Sequence, residues 1–172
     1  MTQAALIGDL RRAFWCAAER LLYAHAAPWE LDEALVAWGY GTGPCEAQDH
    51  AGLDHVMAAR QVPPTPVLPR MVAEGRLGRK GGVGYYRYPG GGGAVIDPLI
   101  EDLIREEAWF HKTDRSDLPD AELVAGMHDA LRPVLSQALA AGIAASALPG
   151  LLAQAVHFPE DRGLAPFALA GF

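Results

Sequence analysis

Apolar residues recur every three or four positions through most of this chain, and nowhere do they alternate one by one with polar residues over the length of a strand. A helix returns to the same face every 3.6 residues and a strand every two, so this spacing restricts the fold to packed helices. Residues 5–24 set the pattern with Leu6, Leu10, Phe14, Ala17 and Leu21 on one side, while Arg11, Arg12, Glu19 and Arg20 are left for water. Pro28 opens a second helix at the position where a missing N–H costs least, and Leu31, Ala34, Leu35 and Trp38 give it an apolar side. Residues 46–60 read as one helix, and Pro63-Pro64-Thr65-Pro66 then makes a stiff connection to a short helix over Val67–Glu74 that Gly75 ends. A further helix spans 95–111 with Ile96, Leu99, Ile100, Leu103 and Ile104 on its apolar side. A long one starts at Pro119 and runs to about Ala141, and the last begins at Pro149. The expected class is therefore all-α.

Between them, residues 75–93 hold nine glycines around Tyr85, Tyr86 and Tyr88, which predicts turns with one extended piece. Gly90–Gly93 is the natural internal boundary. The expected organisation is a first helical module over 1–88, a linker and connecting helix over 89–118, and a second, partial module over 119–172.

Composition narrows the function. With 51% hydrophobic residues the chain can bury a core, and its net charge of −7 argues against nucleic acid or an anionic membrane surface as partner. Met1-Thr2-Gln3 carries no positive charge and the apolar run after it stops at Gly8-Asp9, which is not the pattern of a signal peptide. From Pro133 to Phe158 there is no Asp, Glu, Lys or Arg. That run is alanine-rich and broken by Pro149-Gly150, so a buried hairpin or a contact between subunits is expected rather than a membrane span. Cys16 and Cys45 form no disulfide framework, and a reducing, cytoplasmic setting is expected. Asp49, His50, Asp54 and His55 have spacings at which metal ligands can meet, but such residues on one helix more often cap or solvate it, so no metal site is expected.

The most specific stretch is Leu31–Tyr88. It reads Leu31-Asp32-Glu33-Ala34-Leu35, Trp38-Gly39-Tyr40, Gly43-Pro44, Asp49-His50-Ala51-Gly52-Leu53-Asp54, and then Met71-Val72-Ala73-Glu74-Gly75-Arg76-Leu77-Gly78-Arg79-Lys80-Gly81-Gly82-Val83-Gly84-Tyr85-Tyr86. These pieces, in this order, resemble the C-terminal domain of 3-hydroxyacyl-CoA dehydrogenases. Read as physics, each piece has a structural task. Gly39, Gly43 and Pro44 end one helix and turn the next; Asp49 caps or pins that turn, with Gly52 in the same motif and Asp54 a helical turn on; Gly78, Gly82 and Gly84 allow a tight crossing that packs the tyrosines onto the helices. A second, thinner likeness covers Asp120–Met127, Ala140–Ala144 and His157-Phe158-Pro159 with Gly163. It resembles the second helical copy of multifunctional fatty-acid-oxidation proteins, with Leu164 where a second glycine is usual.

The resemblance implies a bundle of about seven helices like the C-terminal domain of 6-phosphogluconate-dehydrogenase-type proteins, forming one wall of an acyl-CoA cleft. It also implies that NAD and the catalytic histidine belong to a separate nucleotide-binding domain, so no catalytic residue and no cofactor are expected on this chain alone. Where the family places an asparagine opening the first helix, an ungapped alignment puts Gly8-Asp9, and glycine cannot supply that hydrogen bond. The basic segment offers Arg79 and Lys80 as contacts for the phosphates of coenzyme A: Arg70, Arg76, Arg79, Lys80 and Arg87 lie there against one acid, Glu74. The expected function is a substrate-binding and assembly module of acyl-CoA metabolism, inactive without an NAD-binding domain and associating with itself or with such a domain. The alternative is a repurposed helical scaffold with a different ligand or catalytic role.

Overall fold

The structure, a computed structural model, describes residues 1–171. Its first helix, α1 (Gln3–Ala24), begins where Thr2 Oγ1 accepts the Ala5 N–H, and it buries Leu6, Leu10, Phe14, Ala17, Ala18 and Leu22. Pro28 occupies the first turn of α2 (Pro28–Trp38), where Glu30 reaches back to accept the Ala27 N–H at 2.8 Å. Then come α3 (Pro44–Ala51), α4 (Leu53–Ala58), α5 (Val67–Ala73), α6 (Pro98–Phe110), α7 (Asp120–Ala140) and α8 (Leu148–Val156). The all-α class is what forms, with eight α-helices and no β-strand among the described residues.

The expected helix over 46–60 is two helices. Gly52 sits at φ 92°, a left-handed conformation that ends α3 and starts α4. Helix α6 also departs from expectation. It starts three residues late, because Asp97 Oδ1 accepts the Leu99 N–H and Val95 is engaged by Arg87 in a pair of backbone hydrogen bonds at 2.8 and 2.9 Å. Its buried side is Ile100, Leu103, Ile104 and Ala108. Ile96 and Leu99, expected there, are 45% and 64% exposed.

The glycine-rich segment stays irregular. Isolated antiparallel bridges pair Gly78 with Val83, Val83 with Arg87, and Arg87 with Val95, so the chain folds back on itself three times without building a sheet.

One core runs through the whole bundle, from Leu6 to Leu169. Helix α7 packs along α1 and α2, and α8 packs against α1. The uncharged run 133–158 turns Leu135, Ala138, Leu148, Leu151, Leu152, Ala155, Val156 and Phe158 into this core. Its largest side chains are therefore spent inside the chain's own bundle, while Val134, Leu139 and Ile143 are only partly covered. No helix among the described residues is long and apolar enough to cross a membrane.

Candidate functional site

Two buried carboxylates organise the motif region. Asp32, on α2, accepts the Cys45 and Glu46 N–H groups at 2.8 and 3.0 Å and the Tyr86 hydroxyl at 2.9 Å. It thereby caps the first turn of α3 from another helix. Asp49, on α3, accepts the Tyr85 and Tyr86 N–H groups at 2.8 and 3.0 Å and the Tyr88 hydroxyl at 2.7 Å. Burial pushes both carboxyls up to about 6, against the opposing pull of these donated hydrogen bonds. The close fit explains two glycines of the motif. A Cβ on Gly43 would lie 2.2 Å from Asp32 Cγ, and one on Gly84 would lie 2.1 Å from Asp49 Oδ1.

Sequence reading gave the pinning of the Gly39–Pro44 turn to Asp49. The structure gives that task to Asp32 and sends Asp49 to the tyrosine segment. The signal that could have found Asp32 was its place on a helix directly before a Gly-Pro turn, where the new helix leaves N–H groups without partners. Cys45 lies wholly buried beside both carboxylates, and burial first, then their charge, raises its thiol well above the usual range.

The remaining candidates face outward. Asp54 meets Lys80 at 2.7 Å on the surface, which lowers the Asp54 carboxyl. Arg79 donates to the Gly91 carbonyl at 3.2 Å and has no carboxylate partner among the described residues. Arg70 is shared by Glu74, Glu106 and Glu107, and Arg76 binds Asp97 and the Gly84 carbonyl. Of the four residues at metal-like spacing, Asp49 and Asp54 are thus engaged with separate partners. No group of three or more His, Cys, Asp or Glu suited to a metal exists among the described residues.

What no sequence motif announced is a cavity of about 280 Å³ between α1 and the α3–α4 pair. Gly8, Arg11, Arg12 and Trp15 line it from α1; Ala51, His55, Val56, Ala59 and Arg60 line it from the other side. Gly8, the residue at the asparagine position of the resemblance, opens onto it, with no atom within 4 Å of where a Cβ would stand. The basic segment reaches its rim: a Cβ on Gly52 would lie 3.1 Å from His55 Cδ2 and 3.2 Å from Lys80 Nζ. Behind it, Glu19 is wholly buried, paired with Arg60 and accepting from Thr65 Oγ1 at 2.6 Å and the Leu68 N–H at 3.0 Å.

Residues 10–88 match the family model described as 3-hydroxyacyl-CoA dehydrogenase, C-terminal domain. The chain is 29% identical over 126 residues to a peroxisomal bifunctional enzyme of Danio rerio, covering 60% of this chain and 18% of that one. It is 30% identical over 94 residues to a peroxisomal fatty acid beta-oxidation multifunctional protein of Oryza sativa subsp. japonica, covering 49% and 13%. With a probable 3-hydroxyacyl-CoA dehydrogenase of Caenorhabditis elegans it shares 37% over 75 residues, covering 37% and 25%. The chain thus spans a quarter or less of the length of these relatives. Among solved structures, the dehydrogenase part of a multifunctional enzyme 1 from C. elegans superposes with a TM-score of 0.70 at 19% identity, over 83% of this chain and 34% of that one, a likeness of fold.

Proposed function

From the membership of residues 10–88 in the 3-hydroxyacyl-CoA dehydrogenase C-terminal-domain family, we propose that the chain is the acyl-CoA-binding and assembly half of a dehydrogenase system, without turnover on its own. Its partners on this reading are a separate NAD-binding domain or chain and a second copy of itself, in a compartment that handles acyl-CoA. Two relatives are named as peroxisomal. The observation that carries the reading is the cavity beside Gly8. The position at which the family presents an asparagine to substrate opens onto a recess, and Lys80 Nζ comes close to Gly52 beside two of its lining residues, Ala51 and His55. An acyl thioester would enter the recess with its phosphates toward Lys80 and Arg79, where Lys80 would exchange its ion pair with Asp54 for a phosphate.

With half of the usual enclosure, affinity should be weak, about 0.1–1 mM. Acetoacetyl-CoA titrated by calorimetry should show it. The Arg79→Ala/Lys80→Ala double variant should weaken it, and added salt should do the same. In the same solution NADH absorbance should stay constant at every chain concentration. Turnover that scales with the chain would overturn the proposed inactivity, and failure of the wild type to bind would overturn the substrate wall. The repurposed-scaffold reading has one specific support: Gly8 has no side chain to make the asparagine's hydrogen bond.

A further inference from the structure

The charges around the cavity are unevenly compensated. Arg12 is paired with Asp9 and Arg60 with Glu19, but among the described residues Arg11 meets no carboxylate. Its guanidinium is held by backbone alone, Nε on the Ala155 carbonyl at 3.1 Å and Nη2 on the Gln154 carbonyl at 3.2 Å, and it lies 5.6 Å from the centre of the Trp15 ring. Nη1 has no acceptor among the described residues. At the cavity's other side the Arg60 side chain is only 4% exposed, and its Nη2 is buried without a hydrogen-bond partner among the described residues. A buried guanidinium N–H without an acceptor costs free energy until one arrives. So a chain of net charge −7 carries a recess whose lining residues include three arginines and no acid.

The rest of the lining decides what kind of anion fits. Trp15, Ala51, Val56 and Ala59 are apolar, and the recess is small. A phosphate keeps charge on three oxygens and would lose hydration against these walls without matching donors. A carboxylate needs one guanidinium edge, which it can engage through both oxygens, and it can carry an apolar chain to meet the remaining surface. We infer that the cavity between α1 and α4 is a binding site for a carboxylate on a short apolar chain, with Arg11 holding the carboxylate and Trp15, Val56 and Ala59 holding the chain. It uses the cavity of the acyl-CoA reading, and it does not require coenzyme A.

Hexanoate is the probe, titrated into the chain by calorimetry or NMR, with hexanol and hexylammonium as controls of equal chain length. Saturable binding of hexanoate, and of neither control, is expected. Arg11→Met keeps an apolar stem over Trp15 and removes the charge; it should weaken hexanoate at least about tenfold, the equivalent of one charge-assisted hydrogen bond. Because that variant also frees two carbonyls of α8, a second one, Ala59→Trp, fills the recess from an exposed helix end and should abolish binding. Absence of saturable hexanoate binding overturns the inference, as does hexanol binding as well as hexanoate, or hexanoate indifferent to both variants. Acetoacetyl-CoA and hexanoate titrated into separate samples of the wild type tell the two readings apart, since each can fail while the other ligand binds.

Discussion

The turns that end α2 and α8 meet across the bundle, where the Gly41 N–H donates to the His157 carbonyl at 2.9 Å, yet they are held by opposite means. Around the first, polar groups do the holding. Asp32 and Asp49 each accept three hydrogen bonds in the interior, and Gly43 and Gly84 stand where a Cβ would overlap them. Around the second there is no buried carboxylate among the described residues. Phe158 and Phe167 pack against each other and His128, with Trp38 and Tyr40 from the first half closing the cluster. Arg132 and Arg162 reach over to bind the Phe167 and Trp38 carbonyls at 2.8 and 2.9 Å, and the Arg162 guanidinium covers the Trp38 ring. Polar pinning demands particular residues at particular places. Apolar packing demands volume, and many sequences supply it.

The sharpest way to break this contrast is to remove one pin. Asp49→Ala leaves two backbone N–H groups and the Tyr88 hydroxyl buried without acceptors, while it also relieves a buried charge. The expected net loss is about 3 kcal/mol, read from denaturant midpoints. Arg132→Met in the second half unpairs one carbonyl and should cost only about 1 kcal/mol. Equal losses would mean that the two halves are held alike.

Acid should act on the halves in opposite directions. His128 is buried among aromatic rings, its Nε2 has no partner among the described residues, and burial lowers its pKa from 6.5 to about 4. A folded pKa below the unfolded one means that the unfolded chain takes the proton first. The stability His128 contributes is therefore complete above pH 6.5 and is lost as pH falls toward 4, by as much as about 3 kcal/mol. For Asp32 and Asp49 the folded value, about 6, lies above the ordinary carboxyl value of 3.8. Their contribution is fully present below 3.8 and is lost as pH rises through 6. Melting curves between pH 7 and pH 4 should thus diverge: the His128→Phe variant should gain stability on acidification relative to wild type, and identical pH profiles would remove His128 from the account.

The smallest effect concerns the turns themselves. Gly39 takes φ 134° with Pro159 Cγ 3.3 Å from where its Cβ would be, whereas His157 takes φ 62° as a non-glycine residue. His157→Gly should stabilise the chain by up to about 1 kcal/mol by relieving the left-handed conformation, and Gly39→Ala should destabilise it by more than that. A loss from His157→Gly would show that its side chain earns its place by another contact.

Much of the first half was legible because its signals are local. Pro28, Gly39, Gly43-Pro44 and Gly75 mark helix ends by constraints within their own few bonds, and the 3.6-residue spacing of Leu6, Leu10 and Phe14 names the buried side of α1 without reference to any neighbour. The likeness of the motif from Leu31 to Tyr88 to the 3-hydroxyacyl-CoA dehydrogenase C-terminal domain was legible for the same reason: close approaches at Gly43 and Gly84 admit no side chain, so they leave a trace in the sequence.

Other features were settled only when the helices came together. Helix α6 offers apolar residues around more of its circumference than it can bury, and its packing against α1 and α5 chose Ile100, Leu103 and Ile104 over Ile96 and Leu99. The division of residues 46–60 at Gly52 lets α4 leave at an angle that a single helix could not take. The cavity is the extreme case. Arg11 is oriented by carbonyls 143 and 144 residues away, and Arg60 by a glutamate 41 residues before it. A residue's type and spacing determine which face of a helix it is on. Which charges share a recess, and which of them go unpaired there, depends on how those helices cross, and that is set by the sum of all their contacts.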